Sequence, residues 1–234
     1  MNKSERKPDI RVIIPAFNEQ NAVGLVVEEI PAEWVTEVIV VDNGSHDDTF
    51  EQAQKKGATA LREPRRGYGQ ACLKGMEHLT TSVTQPDIVV FLDGDHSDYP
   101  GQLPELVQPI IDGKADLVIG SRALGKKEKG SMTPQQVFGN WLATSLMKSF
   151  YGYKYTDLGP FRAVSYQALM DIGMVDTNYG WTVEMQLKAA KLKLRILEVP
   201  VNYRQRIGVS KVSGTVKGTV MAGYKIILTI FKYL

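Results

Sequence analysis

The chain has 234 residues, of which 43% are hydrophobic and 23% charged, and a formal net charge of +2. That length suits one domain with its own core, the composition excludes a disordered chain, and so small a charge gives no electrostatic reason to expect nucleic acid. The single Cys72 rules out an intrachain disulfide and a CxxC-type metal site, and it fits a reducing compartment.

The opening MNKSERKPDI is polar and lacks the apolar core of a signal peptide, and no window approaches the ~20 apolar residues of a spanning helix. Exposure to the cytosol is the expectation. Ile10 to Pro15 (IRVIIP) reads as a first strand, with a helix from about Asn21 to Ile30 that Asn18 can cap and Glu19 favours at its positive end. Glu37 to Val41 is a second strand, ending in Asp42-Asn43-Gly44-Ser45, and a helix opens at Asp47-Asp48-Thr49. A weaker third strand near Ala58 to Arg62 leads into Glu63-Pro64-Arg65-Arg66-Gly67-Tyr68-Gly69 and a helix to about Leu79. Gly67 and Gly69 permit close backbone approach beside a helix N-terminus and two arginines, a combination suited to a diphosphate, although Gly-x-Gly is also a common turn.

Ile88 to Leu92 is a continuously apolar fourth strand that stops at Asp93-Gly94-Asp95. Ligands on open α/β sheets collect where buried parallel strands end, so two carboxylates with a small residue between them suit Mg²⁺ or Mn²⁺ held jointly with substrate phosphates. An acidic turn explains the same tripeptide. A helix over about 101–112 and a fifth strand, Asp116 to Ile119, follow, ending in Gly120-Ser121-Arg122. Strands alternating with helices in this way predict an α/β fold, a mostly parallel sheet with helices on both faces.

The alternation then breaks. LGKKEKGS (124–131) reads as a surface loop, and Gln135 to Phe150 as a helix whose stripe of Val137, Trp141, Leu142, Leu146 and Phe150 is assigned to core packing. Tyr155 to Ala163 carries Asp157 and Arg162 on a Gly-Pro turn, Gly180-Trp181 starts another helix, and Arg195 to Tyr203 is a late strand before Arg204, Arg206 and Lys211. Gly218 to Leu234 reads as an amphipathic helix: Val216, Val220, Tyr224, Ile227 and Phe231 share a face that Lys217, Lys225 and Lys232 border. Such a helix lies in a membrane interface or docks on the protein's own surface.

Polar residues thus follow five strands: Asn18 and Glu19, Asp42, Arg65 and Arg66, Asp93 and Asp95, and Arg122. In a doubly wound sheet these ends share one edge, where they would supply metal ligands, a carboxylate for a base or ribose, and phosphate-binding cations. Neither a GxxxxGK[ST] loop nor a GxGxxG fingerprint after the first strand occurs, which argues against a P-loop NTPase and a nicotinamide dehydrogenase.

The ordered set Pro-Ala-Phe-Asn-Glu (15–19), Val-Asp-Asn-Gly-Ser-x-Asp-Asp-Thr (41–49), Arg-Gly-Tyr-Gly-x-Ala (66–71) and Leu-Asp-Gly-Asp (92–95) resembles the family 2 glycosyltransferases of GT-A fold. Gly120-Ser121-Arg122, Asp157-Leu158-Gly159-Pro160-Phe161-Arg162 and the stretch from Val199 to Lys211 are similar to the dolichyl-phosphate mannose synthase branch and its bacterial polyprenyl-phosphate relatives. The resemblance implies one GT-A domain over 1–234, with a nucleotide-sugar half at 9–122, an acceptor half at 123–212 and a possible membrane-interface helix at 213–234. It implies that Pro15, Ala16, Glu19 and Asp42 contact the nucleotide, Asp42 through the base. Asp95 would ligate Mg²⁺ or Mn²⁺, with Asp93 on the metal, its water or the ribose. Arg122, Arg204, Arg206, Ser210 and Lys211 would hold the acceptor phosphate and donor diphosphate. The branch commonly carries a Gln two positions after the second Asp, where this chain has Ser97, and Gly159-Pro160 replaces its usual small-residue turn.

The expected reaction is metal-dependent, inverting transfer of a sugar from a UDP- or GDP-linked donor to a polyprenyl phosphate by a protein peripheral to the cytoplasmic membrane face. A phosphate acceptor is already anionic near neutral pH and needs no general base, whereas a hydroxyl acceptor would need one from Asp157, Asp176 or Glu184. A soluble acceptor and a non-catalytic nucleotide-sugar-binding subunit are the alternatives. His46, His78 and His96 are expected in structural or solvent roles, and Cys72 as a small buried side chain.

Overall fold

The computed structural model describes residues 6–208 and 216–233. Seven strands form one sheet: β1 (Ile10–Ala16), β2 (Glu37–Asp42), β3 (Thr59–Arg62), β4 (Ile88–Phe91), β5 (Leu117–Ser121), β6 (Arg162–Ser165) and β7 (Ile196–Pro200). Their order across the sheet is β3-β2-β1-β4-β6-β5-β7. Every pairing is parallel except those of β6, which runs antiparallel to both β4 and β5.

Strand β6 corrects the expectation of a turn around Arg162. Four residues headed by an arginine carry no strand signal, yet the slot between β4 and β5 pairs their backbone on both sides and buries Ala163 and Val164 completely. The helix that follows, Tyr166–Ile172, is likewise missing from the sequence reading, because seven residues hold too little periodicity to declare it.

Successive residues of β1 point to opposite faces, and the two cores follow from that period of two. Val12 and Ile14 pack with Val40 and Val90 under α1 (Val23–Glu29) and α4 (Leu103–Ile111). Ile13 packs with Ile39, Val89 and Phe91 under α3 (Tyr68–Thr81) and α7 (Trp181–Lys191), and Cys72 is buried there as expected. The other helices are α2 (Thr49–Lys55), α5 (Pro134–Tyr151), α6 (Tyr166–Ile172) and α8 (Val216–Lys232).

Helices α5 and α8 do not cover the sheet. They join α7 in a small separate cluster of Ala143, Met147, Val183, Leu187 and Ile230. This corrects the assignment of the α5 stripe to the core for three of its five residues, while Leu146 does pack against the cluster. Val137, Trp141 and Phe150 are exposed, because α5 turns its smaller Ala143, Thr144 and Met147 inward. On α8, Val220, Tyr224 and Phe231 of the expected apolar face are also exposed. No helix among the described residues is long and apolar enough to cross a membrane.

Between β1 and β4 the winding of the sheet reverses, and ligands of open α/β sheets bind at such a point. Close packing beneath it is strict. A Cβ on Gly75 of α3 would lie 2.6 Å from Cγ2 of Ile13 on β1. Gly75→Ala is therefore expected to destabilise the fold by about 1–3 kcal/mol despite the better helix propensity of alanine. Thermal unfolding checks this: a melting temperature equal to wild type contradicts the contact.

Candidate active site

Beyond β1 the chain enters a loop that is fastened to the loop after β2. Asn18, at φ 53°, donates its N–H to Ser45 Oγ (2.9 Å) and accepts from His46 N–H at Oδ1 (2.9 Å). It does not cap α1: Ala22 precedes that helix, and no side chain caps it. Glu19 donates its N–H to Thr49 Oγ1 at 2.7 Å. Asp42, 5% exposed, accepts Ser45 N–H at 2.9 Å and so braces its own loop; it lines neither cavity described below.

The neighbouring Asn43 organises the next segment. Its Nδ2 donates to the carbonyls of Glu63 (3.0 Å) and Arg65 (2.7 Å), and its Oδ1 accepts Gly67 N–H (2.8 Å). The two arginines there diverge. Arg65 forms a two-pronged pair with Glu63, whereas Arg66 lies 3.8 Å from the centre of the Phe17 ring and lines a cavity. Gly67 and Gly69 are needed, but for a different approach from the one expected. A Cβ on either would lie 2.1 or 2.0 Å from the carbonyl oxygens of Thr177 and Asp176, and Gln70 N–H already donates to Thr177. Protein backbone, not an open phosphate cradle, occupies that side of the helix N-terminus.

After β4, Asp93 Oδ1 accepts the hydroxyl of Tyr68 at 2.9 Å. Asp95 Oδ1 accepts both the N–H (2.9 Å) and the hydroxyl (2.5 Å) of Ser97, so Ser97 fixes this carboxylate. Arg206 spans the site, with Nη1 3.0 Å from Asp95 Oδ2 and Nη2 donating to Glu19 Oε1 at 2.7 Å. Burial and the like charge of Asp95 push Asp93 up to about 7, against the pull of Tyr68, Arg206 and Arg122. Asp98 adds to the crowding: it is 2% exposed, neither oxygen has a hydrogen-bond partner among the described residues, and burial with the charge of Asp93 raises it well above the usual carboxylate range.

Arg204 is drawn away from this centre. It donates to His96 O and Glu29, stacks 4.5 Å from the Tyr99 ring centre, and lines neither cavity, so it supports the loop after β4 from behind. Ser210 and Lys211 lie outside the described residues. Arg122 does reach the site, held there by Asp157, which accepts from its Nε (2.8 Å) and Nη2 (2.7 Å). The three carboxylates considered as bases are committed. Asp157 is clamped by Arg122; Glu184 accepts from Asp176 N–H and Tyr233 and pairs with Lys188; and Asp176 pairs with Lys225 of α8 at 3.1 Å. His46, His78 and His96 face Arg66, Glu37 and Glu29 respectively, in the structural roles expected.

Two cavities meet at this centre. The smaller, about 330 Å³, is lined by Pro15, Ala16, Phe17, Glu19, Asn43, Arg66 and Gly67 and ends at Asp93, Asp95 and Arg206. The larger, about 770 Å³, starts from the same carboxylates and Arg122 and runs between α5 and α8, past Phe138, Leu142, Leu158, Ile226 and Ile227. Tyr68 and Tyr179 border both. Tyr68 stands inside the Gly-x-Gly segment, but its contact with Asp93 carries no local sequence signal.

A mostly parallel sheet with a carboxylate pair at its switch point and a cleft of about 330 Å³ beside it is the arrangement of a GT-A nucleotide-sugar transferase. Residues 11–174 match the model of Glycosyl transferase family 2, and the chain belongs to that family. It is 35% identical over 215 residues to an uncharacterized glycosyltransferase of Mycobacterium tuberculosis, covering 91% of this chain and 94% of that protein. It is 29% identical to the undecaprenyl-phosphate mannosyltransferase of Micrococcus luteus, covering 89% of each. With the UDP-N-acetylglucosamine–dolichyl-phosphate N-acetylglucosaminyltransferase of Methanococcus voltae, identity is 30% over 93% of this chain and 92% of the relative. Glucosyl-3-phosphoglycerate synthase from M. tuberculosis, solved with Mn²⁺, UDP-glucose and phosphoglyceric acid, shares the fold at a TM-score of 0.77 and 24% identity, over 97% of this chain and 79% of that one.

Asn43→Ala leaves three backbone partners of the 63–67 loop unmatched and is expected to cost roughly 2 kcal/mol, read as a lowered melting temperature together with weaker nucleotide binding. The Glu63–Arg65 pair gives a pH signature. Hydrogen bonds from Arg65 hold Glu63 down at about 2 from an ordinary 4.5, so its stabilisation is complete above the unfolded value and is lost as pH falls through that window. The melting-temperature gap between wild type and Glu63→Gln should be constant above about pH 5.5 and narrow steadily below 4.5; a gap independent of pH contradicts the pair.

Proposed function

We propose that this enzyme transfers a sugar, with inversion, from a UDP- or GDP-linked donor to a polyprenyl phosphate, working peripherally at the cytoplasmic face of a membrane. One observation carries the acceptor: the larger cavity has apolar walls along α5 and α8 and ends on Arg122, Arg206 and the carboxylate pair. Such a space suits a hydrocarbon chain with an anionic head. The printed names of the Micrococcus and Methanococcus relatives, which specify undecaprenyl and dolichyl phosphates, point the same way.

In this reading the smaller cavity takes the donor nucleotide, with Pro15, Ala16, Phe17 and Glu19 along one wall and Asn43, Arg66 and Gly67 along the other, while Asn18 fastens the first of these loops to Ser45 and His46. Asp42 and Gly69, which sit behind that lining, contribute by fixing the two loops. Asp93 and Asp95 fit a divalent cation. They are hard oxygen donors, and the mutual repulsion that raises Asp93 is what a cation would relieve. No group of three or more potential ligands exists among the described residues, so donor phosphates and water would complete the shell. Mg²⁺ or Mn²⁺ bound there supplies charge neutralisation on the departing diphosphate.

Arg206, which Glu19 holds at the mouth of the smaller cavity, would present its guanidinium to the phosphates. Arg122, aimed by Asp157, would hold the acceptor phosphate at the mouth of the apolar cavity, with Ser210 and Lys211 as further phosphate contacts. The commitment of Asp157, Asp176 and Glu184 to other groups supports an acceptor that brings its own charge. A phosphate monoester, with its second pKa near 6, does so. Arginines then let two anions approach without a proton having to be moved.

Incubation with labelled UDP- and GDP-sugars, Mn²⁺ and a polyprenyl phosphate should yield a lipid-linked sugar. Product formed only on a phosphorylated small molecule would replace the lipid acceptor with a soluble one. Asp95→Ala should lower turnover by roughly 10²–10³-fold, and near wild-type activity would overturn the metal role. Gly139 and Gly223 line the larger cavity, and a Cβ at either meets nothing within 4 Å. Gly139→Leu and Gly223→Leu should therefore fill that space without strain and raise KM for a long polyprenyl phosphate about tenfold or more, leaving donor hydrolysis unchanged.

A further inference from the structure

Every exposed aromatic side chain among the described residues lies on α5 or α8: Phe138, Trp141, Phe150, Tyr224 and Phe231. On α8, Val220, Met221, Tyr224, Leu228 and Phe231 fall within a stripe about 100° wide at helical spacing, and all five are exposed. On α5, Val137 and Trp141 stand one turn apart, with Phe138 beside them. The two surfaces are continuous. Phe150 meets Phe231 with ring centres 5.4 Å apart, and Tyr151 donates its hydroxyl to the carbonyl of Ile230 at 2.6 Å. The C-terminal ends of the helices therefore touch, while their N-terminal parts line opposite sides of the large cavity.

Charge selects the occupant. Neither helix carries an Asp or Glu over its 18 or 17 residues, whereas Lys148 of α5 and Lys232 of α8 are exposed, and Lys225 of α8 is taken up by Asp176. Lys126, Lys127 and Lys129 stand on the loop leading to α5, where the one acid among them, Glu128, accepts from Tyr99 and from the N–H of Gln205. Aromatic and aliphatic side chains on two acid-free helices, rimmed by a net excess of lysine, match the boundary between acyl chains and anionic headgroups. A second copy of this chain would set lysine rim against lysine rim.

We propose that α5, together with α8, forms a two-helix surface that docks on an anionic lipid bilayer, with Val137 and Trp141 entering the acyl boundary beside the mouth of the large cavity. The location of that mouth rests on the acceptor reading above; the docking itself does not. Headgroups would pair with the lysines, and the acceptor would pass sideways from the bilayer between the N-terminal halves of the helices.

The test uses the full chain and vesicles of phosphatidylcholine with or without phosphatidylglycerol. Wild type should float with the anionic vesicles, and the paired change Val137→Glu and Trp141→Glu should reduce that partition roughly tenfold or more. Val83→Glu, a still more exposed apolar position on the loop after α3, should not. Neither Val137 nor Trp141 lines the cavity, so turnover on a short, water-soluble polyprenyl phosphate should survive the paired change. In a Trp34→Phe background, brominated lipid should quench the emission of Trp141, whereas Trp181 is buried. Equal flotation of the paired variant, absence of quenching, or a wild-type dimer in solution that the glutamates split would each overturn the proposal. Vesicle binding without transfer to any polyprenyl phosphate would leave docking standing and remove the acceptor; transfer without vesicle binding would do the reverse.

Discussion

Two carboxylates one residue apart, at the buried end of a parallel strand, repel each other, and much of the surrounding structure answers that repulsion. Asp93 and Asp95 are met by Tyr68 from α3, by Ser97 from their own loop and by Arg206 from a segment more than a hundred residues further along. Arg206 would be misplaced without Glu19, which grips its other nitrogen, and Arg204 keeps the returning segment against the loop after β4. Backbone bonds from Arg204 N–H to Ser97 O and from Ile207 N–H to Asp95 O complete the attachment. The acidic end of β4 therefore assembles elements that share no local sequence.

What the sequence discloses about this arrangement is uneven, and the reason is physical. The parallel core strands announce themselves because burial on both faces demands continuous apolar runs, as in Ile88 to Phe91. The polar residues that end them are equally visible. What such a reading cannot supply is the direction of a long side chain. Arg65 and Arg66 are adjacent, yet one turns to Glu63 and the other to Phe17. Arg204 and Arg206 are two apart in an extended segment, and Glu29 on α1 takes the former. Asn43 looks like a turn residue, and its bonds to three backbone groups exist only once β2 and α3 are side by side.

The apolar stripe of α5 illustrates a related limit. Periodicity reports that a helix has a hydrophobic side, but not which neighbour that side faces. Ala143, Thr144 and Met147 turn inward because α7 and α8 approach closely, and the larger residues are left outside. The same pattern written on α3, where Ala71, Cys72, Met76 and Leu79 are buried against the sheet, has the ordinary outcome.

The segment from Asp176 to Gly180 links three parts of the molecule. Its first two carbonyls rest on the glycines that open α3, Asn178 and Tyr179 form part of the smaller cavity's wall, and the carboxylate of Asp176 both caps the turn and holds Lys225 of α8. A displacement of α8 cannot leave that wall untouched, since the ion pair and the turn share one side chain. Any coupling between the space under α8 and the neighbouring cleft would be reciprocal: whatever free energy one site gained from the other's ligand would be returned in equal measure. Order of binding becomes a matter of rates.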